Sequence, residues 1–192
     1  HLSASDAVKR RAETAAIGEY LRTNNLKDNY ILCGDLNINN SSSTTYQNLI
    51  NNSVAEHSLH DPINQPGSWS NNSNFSAIHT QSTHTRQSCA SAGGMDDRFD
   101  FILISNDIKD DSSGINYVSG SYKAIGQDGL RFNSNLLSPS NSTYSNGVVQ
   151  ALYDMSDHLP VEVELAFRIK DPTSVTTEAN PWSYKLYNDE YS

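Results

Sequence analysis

Cysteine is scarce in this chain of 192 residues, which contains only Cys33 and Cys89. Two cysteines are too few for the disulfide framework of a small secreted domain or for a thiolate zinc site. Cys33 lies in an apolar run, so we expect a buried free thiol there, because unpaired cysteine commonly behaves as a small core hydrophobe. A bridge between the two cysteines is the alternative.

Charge is also low, and it is unbalanced. Charged residues make up 18% of the chain, below the usual share of about 25%. The 13 Lys and Arg are outnumbered by 22 Asp and Glu, which gives a net charge of -9. This excludes a strongly basic nucleic-acid-binding surface. Nucleic acid stays open as a transient substrate, because metal ions can offset acidic groups around a phosphate that is being cleaved.

Long hydrophobic runs are missing as well, since none reaches the roughly 18 apolar residues of a membrane span. The length fits one domain with or without a tail. Apolar residues at helical spacing predict a helix over residues 5–22, with Ser3 or Ser5 as its cap. Residues 41–45 form a polar stretch that can cap a second, short helix ending at Ile50.

Four segments are predicted as strands. Residues 30–33 form a short continuous apolar run, which is typical of a strand buried on both faces. Residues 99–105 form a second strong strand. Residues 117–122 suggest a further one, and residues 161–167 alternate between apolar and polar side chains, as a half-buried strand does.

Two long segments, residues 51–97 and 126–150, are predicted to be loops, with one or two short strands near Trp69. A loop of this length in a compact domain is usually functional. His79 and His84 lie in the first loop and could contact phosphate. Unpaired surface histidines are the favoured interpretation, because their spacing carries no metal signature.

Polar residues at the ends of predicted strands form the candidate site. Asp35 and Asn37 follow the first strand, Asp100 lies inside the second, and Asp157 and His158 precede the last. Adjacent strands would bring them into one cleft, where they could share a hard divalent cation and a water molecule. Carboxylate oxygens suit Mg²⁺, and a histidine beside carboxylates can act as a general acid or base.

Each motif alone has a simpler explanation. The sequence Gly-Asp-Leu-Asn at residues 34–37 is typical of a turn, and Asp157 with His158 could be a surface pair. Asp100 is harder to dismiss, because a buried carboxylate is costly unless it is paired. We expect its partner to be His158 or Arg98.

Together and in this order, the motifs resemble the C-terminal half of an endonuclease/exonuclease/phosphatase domain, the deoxyribonuclease I-like superfamily. The matching segments are GDLN at 34–37, RFDFILIS at 98–105 and SDHLPV at 156–161, and the opening HL resembles the end of the family's central strand. The resemblance assigns residues 1–170 to that domain and residues 171–192 to a linker or truncated tail.

The resemblance implies an α+β fold, a four-layer α/β/β/α sandwich of which this chain supplies mainly the C-terminal half. It implies a metal-dependent phosphoesterase that hydrolyses phosphodiester bonds with Mg²⁺, or with Mn²⁺ or Ca²⁺. The family's N-terminal half supplies an Asn and a Glu that is a principal metal ligand, and nothing precedes His1 here. We therefore expect a fragment whose partner is that missing half and which, in isolation, binds Mg²⁺ poorly and hydrolyses little.

The resemblance also implies roles for the residues around the metal. Asp35 would activate or orient the attacking water, and Asn37 would hold that water or a phosphate oxygen. Asp157 would contribute to the metal site together with Asp35 and Asn37. Arg98 and Trp69 are assigned to substrate binding.

Two histidines would face the phosphate. His158 would contact the scissile phosphate and stabilise its developing charge, with Asp100 fixing the orientation of the imidazole. His1 would be a second phosphate-facing histidine. Such catalysis depends on positioning and charge neutralisation and needs no covalent enzyme intermediate.

Several branches of the superfamily compete. Residues 94–98 read GMDDR, which disfavours the inositol polyphosphate phosphatases, with their Pro-Ala-Trp-Cys-Asp-Arg signature, and the repair enzymes that place a Trp just before the Arg. Sphingomyelinases share the HL and SDH motifs but use exposed aromatic hairpins, none of which is obvious here. The favoured function is a secreted endonuclease-like phosphodiesterase acting on DNA or RNA. The alternatives are a lipid phosphodiesterase, another phosphatase, or a catalytically incomplete binding module.

Localisation is inferred from composition. Low charge, Asn- and Ser-rich loops and a linker-like tail resemble exported bacterial enzymes, so we expect a secreted or cell-envelope-exposed protein. A cytoplasmic protein is the alternative.

Overall fold

The computed structural model describes residues 1–26, 28–86 and 91–168. These residues mix helices with short strands, which confirms the predicted α+β class. The predicted tail, residues 171–192, lies outside the described residues. In chain order the elements are α1 (Ala7–Thr23), β1 (Ile31–Asp35), α2 (Thr44–Ile50), the 3₁₀ helices Ala55–His57 and Ser73–Ile78, β2 (Asp100–Ile104), α3 (Asn106–Asp110), β3 (Ile115–Tyr117), β4 (Lys123–Ala124), α4 (Asn146–Met155), β5 (Val161–Glu162) and β6 (Leu165–Phe167).

The strands of the described residues pair antiparallel as β1 with β2, β3 with β6 and β4 with β5. The register of the first pair runs from Ile31 opposite Ile104 to Asp35 opposite Asp100. Cα atoms that face each other across an antiparallel pair lie within about 5.5 Å. The pairing of β1 with β2 therefore brings two of the predicted site carboxylates together at one end of the sheet.

The cap of helix α1 lies one residue after Ser5 and three residues after Ser3, the two predicted caps. Asp6 caps it, because its carboxylate accepts hydrogen bonds from the backbone N–H groups of Val8 at 2.9 Å and Lys9 at 3.0 Å. A carboxylate in this position also interacts favourably with the positive end of the helix dipole. Ser3 and Ser5 are therefore not the cap, and that prediction is wrong.

Helix α2 has the expected cap and packs against α1. Ser43 accepts a hydrogen bond from the backbone N–H of Tyr46 at 3.3 Å, as the polar stretch predicts. The two helices meet at Gly18, where an added Cβ would lie 3.5 Å from the carbonyl oxygen of Asn48 in α2 and 3.1 Å from Nδ2 of Asn52, just beyond that helix. A larger residue at position 18 would require the Asn52 side chain to shift.

Strand β1 is covered on one face only. Leu32 packs against the main core, whereas Ile31 is 41% exposed and Cys33 is an exposed free thiol. The prediction of a strand buried on both faces, and of a buried thiol at Cys33, is wrong. An apolar run does not distinguish a strand with two covered faces from an antiparallel strand with one.

The predicted loops contain more helix than expected. Residues 146–155 form α4, which packs Val149 and Leu152 against Met95 and Leu159. The segment 51–97 contains the two 3₁₀ helices, and only an isolated bridge between Asn40 and Ser68 lies next to Trp69 in the described residues. The C-terminal strand is divided into β5 and β6.

Candidate functional site

The motif at residues 156–158 reaches the β1–β2 sheet through a short segment at residues 80–83. The backbone N–H of Thr83 donates to the carbonyl of Asp157 at 3.0 Å, and that of Leu159 donates to the carbonyl of Thr80 at 2.8 Å. The result is one open cavity of about 400 Å³. Its walls are formed by His1, Ala4, Asp35, Asn37, Gln81, Ser91, Asp100, Asp157 and His158.

All the residues predicted to be catalytic or to bind metal line this cavity. His158 and Asp100 form its closest ion pair, with 2.7 Å between Nδ1 of the imidazole and Oδ2 of the carboxylate. The expectation that Asp100 pairs with His158 or Arg98 is therefore met by His158. Oδ2 of Asp35 lies 3.9 Å from Nε2 of the same imidazole.

The electrostatics around His158 favour its charged form. Burial lowers the pKa of His158, but the hydrogen bond to Asp100 and the charges of Asp100, Asp35 and Asp157 outweigh it, so that the pKa is raised overall. The imidazole can therefore hold a proton near neutral pH and stabilise a developing negative charge.

Asp35 is held from both sides. Oδ1 accepts the backbone N–H of Asn37 at 2.8 Å, and Oδ2 lies 3.1 Å from Nε2 of His1. Burial raises the pKa of Asp35, and the charge of Asp100 adds to this, while the Asn37 hydrogen bond and His158 act in the opposite direction. A carboxylate with a raised pKa is suited to accept a proton from water.

Asn37 fixes the position of the chain's first residues. Its backbone adopts a left-handed conformation with φ of 49°, which asparagine tolerates better than most residues. Its side chain donates to the carbonyl of Leu2 at 3.1 Å, and the backbone N–H of Leu2 donates to the carbonyl of Asp35 at 2.9 Å. These bonds bring His1 to the rim of the cavity.

Asp157 is kept ionised by its neighbours. Its Oδ2 accepts the backbone N–H of Ser91 at 3.0 Å and lies 3.4 Å from Nε2 of Gln81. Burial raises the pKa of Asp157. The hydrogen bonds from Ser91 and the charge of His158 lower this pKa by more than burial raises it, so the net shift is downward. Asp157 therefore presents a charged carboxylate at neutral pH.

Gln81 is a site residue that the sequence does not reveal. Its Nε2 lies 2.6 Å from Nε2 of His158, in the middle of the cluster. The residue belongs to a polar segment without periodicity, so no pattern marked it. Only the pairing of residues 80–83 with 157–159 brings it to the site.

Arg98 and Trp69, which are assigned to substrate binding by the resemblance, do not line the cavity. Both side chains are fully buried. Arg98 donates from Nη1 and Nη2 to the two carboxylate oxygens of Asp61 at 2.7 and 2.9 Å. Its guanidinium carbon lies 4.2 Å from the ring centre of Phe101 and 5.1 Å from that of Trp69. These residues stabilise the core under the sheet.

Tyr122 connects that core to the site. Its ring centre lies 5.5 Å from the guanidinium carbon of Arg98, and its hydroxyl donates to the backbone carbonyl of Asp100 at 3.1 Å. The backbone that carries the site carboxylate is therefore attached to the buried aromatic cluster.

The two loop histidines are not unpaired surface residues. His79 is buried, and its Nε2 lies 2.8 Å from the carbonyl oxygen of Trp69. Burial lowers the pKa of His79 more than its polar contacts raise it. His84 stacks on Tyr153, with 3.9 Å between ring centres. The prediction of an unpaired surface histidine is wrong for His79, which is buried, and half-buried His84 is not unpaired.

The donor chemistry of the cavity fits a hard divalent cation. Asp35, Asp157 and Asn37 offer carboxylate and amide oxygens, and Mg²⁺ uses one or two carboxylates together with water and substrate phosphate. In the described ranges, no group of three or more His, Cys, Asp or Glu residues is arranged to hold a metal ion without such help.

None of the helices in the described residues combines the length and the apolarity that crossing a bilayer requires.

Comparison with known proteins does not identify what this cavity binds. No protein-family model and no curated protein matches the chain. Among solved structures, it is similar to a functionally unknown conserved protein from Enterococcus faecalis V583, with a TM-score of 0.45 and 19% identity. The similarity covers 88% of this chain and 48% of that protein, so the chain spans about half the length of its structural neighbour.

Proposed function

We propose that this chain carries the C-terminal part of a Mg²⁺-dependent phosphodiesterase of the deoxyribonuclease I-like superfamily, over residues 1–170. The observation that carries the proposal is the single cavity that holds Asp35, Asn37, Asp100, Asp157 and His158. Three sequence segments far apart in the chain contribute these residues. Nucleic acid is the favoured substrate, and a secreted enzyme is the favoured setting.

In this proposal the role of each residue follows from its pKa and its contacts. Asp35, with a raised pKa, accepts a proton from the attacking water or orients it. Asn37 holds that water or a phosphate oxygen. His158 donates to a phosphate oxygen and stabilises its negative charge, while Asp100 at 2.7 Å keeps the imidazole in place.

The remaining groups bind the metal ion or the phosphate. Asp157 and Asp35, with Asn37, would hold Mg²⁺, which supplies charge neutralisation on the phosphate when it is bound. His1 lies 3.1 Å from Asp35 on the rim, with an exposed imidazole that can reach a phosphate. No covalent intermediate is required, because positioning and electrostatics suffice for this reaction.

The test is hydrolysis by the full-length gene product that contains this chain. Plasmid DNA, RNA, sphingomyelin and bis-nitrophenyl phosphate are incubated with Mg²⁺ or with EDTA. We expect Mg²⁺-dependent cleavage of nucleic acid, reduced at least about 100-fold in His158→Ala, which is the range of a lost general acid–base or charge-stabilising group.

His60→Ala is the matched control, because the His60 imidazole pairs with Oδ1 of Asn106 at 2.5 Å, away from the cavity. It should retain wild-type activity. Cleavage of sphingomyelin alone would replace the nuclease by a lipid phosphodiesterase. An inert wild type on all four substrates would contradict the proposed enzyme and favour a binding module.

A further inference from the structure

The backbone of Gln81 is fixed by hydrogen bonds to a neighbouring segment. Its N–H donates to the carbonyl of Asp97 at 3.1 Å, and the N–H of Asp97 donates back to its carbonyl at 3.0 Å. On the other side, Gln81 forms an antiparallel bridge with His158. The backbone therefore sets the position of residue 81, and its side chain is not needed for that purpose.

The side chain of Gln81 extends into the cavity beside the imidazole. Its amide nitrogen lies 2.6 Å from Nε2 of His158 and 3.4 Å from Oδ2 of Asp157. A carboxamide nitrogen carries two hydrogens and accepts none. Gln81 thus adds an uncharged N–H donor to a site whose other side chains are mainly carboxylates and imidazoles.

A phosphodiester that reaches His158 must come within reach of this amide. The non-bridging oxygens of phosphate are strong acceptors, and N–H donors fixed in advance stabilise them at low reorganisation cost. An oxygen that accepts from Nε2 of His158 lies beside Nε2 of Gln81, because these two nitrogens are neighbours. In that complex Nε2 of His158 is itself a donor and cannot accept, so the amide gives up the imidazole as its acceptor and donates to the phosphate oxygen instead.

We infer that Gln81 is a substrate-binding residue, whose amide donates to the same phosphate oxygen as His158. This inference rests on the proposed phosphodiesterase function. It names a residue outside the three matching motifs, on the segment between them. The chemical class of its ligand is the anionic oxygen of a phosphodiester.

The first test does not depend on turnover. Protein labelled with ¹⁵N is titrated with inorganic phosphate in the presence of Mg²⁺, and the side-chain NH₂ signals are followed. The signals of Gln81 should shift with the imidazole signals of His158. Those of Gln150, which bonds Asp154 at 2.9 Å on the exposed face of α4, should not move.

The second test uses substitutions and bis-nitrophenyl phosphate. Gln81→Leu removes the donor, so we expect a loss of about 10-fold in kcat/KM. Gln81→Glu places an anion against the phosphate, and we expect about 100-fold. Gln150→Leu and Gln150→Glu are the matched controls and should match wild type. Circular dichroism melting establishes that each variant is folded.

The outcomes separate this inference from the proposed function. Hydrolysis by wild type with unchanged kinetics in both Gln81 variants overturns the role of Gln81 and leaves the enzyme intact. Gln81 signals that shift with phosphate in a protein without hydrolysis retain Gln81 as an anion ligand and overturn the enzyme. Phosphate that shifts neither Gln81 nor His158, in a protein that also hydrolyses none of the substrates, overturns both.

Discussion

Two charge pairs on either side of Phe99 have different surroundings. Arg98 pairs with Asp61, and Asp100 pairs with His158. The first pair is almost entirely buried, with side chains 0% and 4% exposed, whereas those of His158 and Asp100 are 22% and 16% exposed. Arg98 and Asp100 are only two residues apart in the chain, but their pairs lie in environments of different polarity.

The surroundings of the second partner in each pair distinguish the pairs further. Both carboxylate oxygens of Asp61 accept from Arg98, and aromatic rings cover the guanidinium. His158 instead directs its second nitrogen into a cavity that contains two further carboxylates. Arg98 faces only the core, where its Nε has no hydrogen-bond partner, so its pair with Asp61 acts on stability. His158 reaches the cavity and can take part in chemistry. This difference predicts which substitutions affect unfolding and which affect activity.

The largest loss of stability is expected for Asp61→Ala. It leaves the buried charge of Arg98 without a partner, a change that costs about 3–5 kcal/mol. Urea unfolding followed by Trp fluorescence measures the difference. In the double variant Asp61→Leu with Arg98→Met, both charges are removed, so most of this loss should be recovered. A change below about 1 kcal/mol in Asp61→Ala would contradict a structural role for the pair.

Asp100→Asn should have the opposite profile. It weakens the bond that orients His158, so we expect activity to fall at least about 100-fold if the proposed function is correct. Because this pair is partly open to solvent, the free energy of unfolding should change by about 1 kcal/mol or less. Asp110→Asn, on the exposed end of α3, is the control for both measurements. Equal activity in the two variants would remove Asp100 from the mechanism.

A smaller, pH-dependent effect is expected at Asp96. Burial and the charge of Asp97 raise the pKa of Asp96 from 3.8 to about 6. Between pH 3.8 and about 6 the folded state therefore binds more protons than the unfolded state. The stabilisation of the folded state by protonation of Asp96 is lost as pH rises through about 6. The full shift corresponds to about 3 kcal/mol, which solvent screening reduces to about 1 kcal/mol.

Asp96→Asn should consequently stabilise the protein at pH 8 by about 1 kcal/mol and have little effect at pH 4. Urea unfolding at the two pH values measures the difference. Equal effects at both values would show that the carboxylate titrates normally in the folded chain.

The smallest effect is expected for the exposed pair of Lys123 and Glu162, whose charged atoms lie 3.4 Å apart. Both side chains are about half exposed, and such pairs contribute about 0.2–1 kcal/mol. Lys123→Ala should therefore lower the free energy of unfolding by about 0.3 kcal/mol, with a weaker effect in high salt. A loss as large as that of Asp61→Ala would contradict burial as the source of the difference between pairs.

The sequence predicts the site better than it predicts the core. Asp35 and Asp100 could be identified because each stands beside an apolar run, where a carboxylate needs a partner. Arg98 stands beside the same run, yet its position in the motif does not reveal that Asp61 neutralises it from a distant segment. Long-range partners of this kind depend on tertiary structure.

Local signals also limited the prediction of secondary structure. Helix α4 begins with Asn146 and Gly147, which are weak helix formers, and its stability comes from Val149 and Leu152 packed in a small core. Gln81 was missed for a related reason, because only its bridge to His158 gives it a role. Tertiary packing decides both cases.

Tyr122 has a consequence for the dynamics of the site. Its hydroxyl bonds the carbonyl of Asp100, and its ring belongs to the cluster around Arg98. Amide hydrogens in β2 should therefore exchange with solvent only when the whole domain opens, and not through local fluctuations. Tyr122→Phe would release this coupling, so the site could loosen while the rest of the chain stays folded.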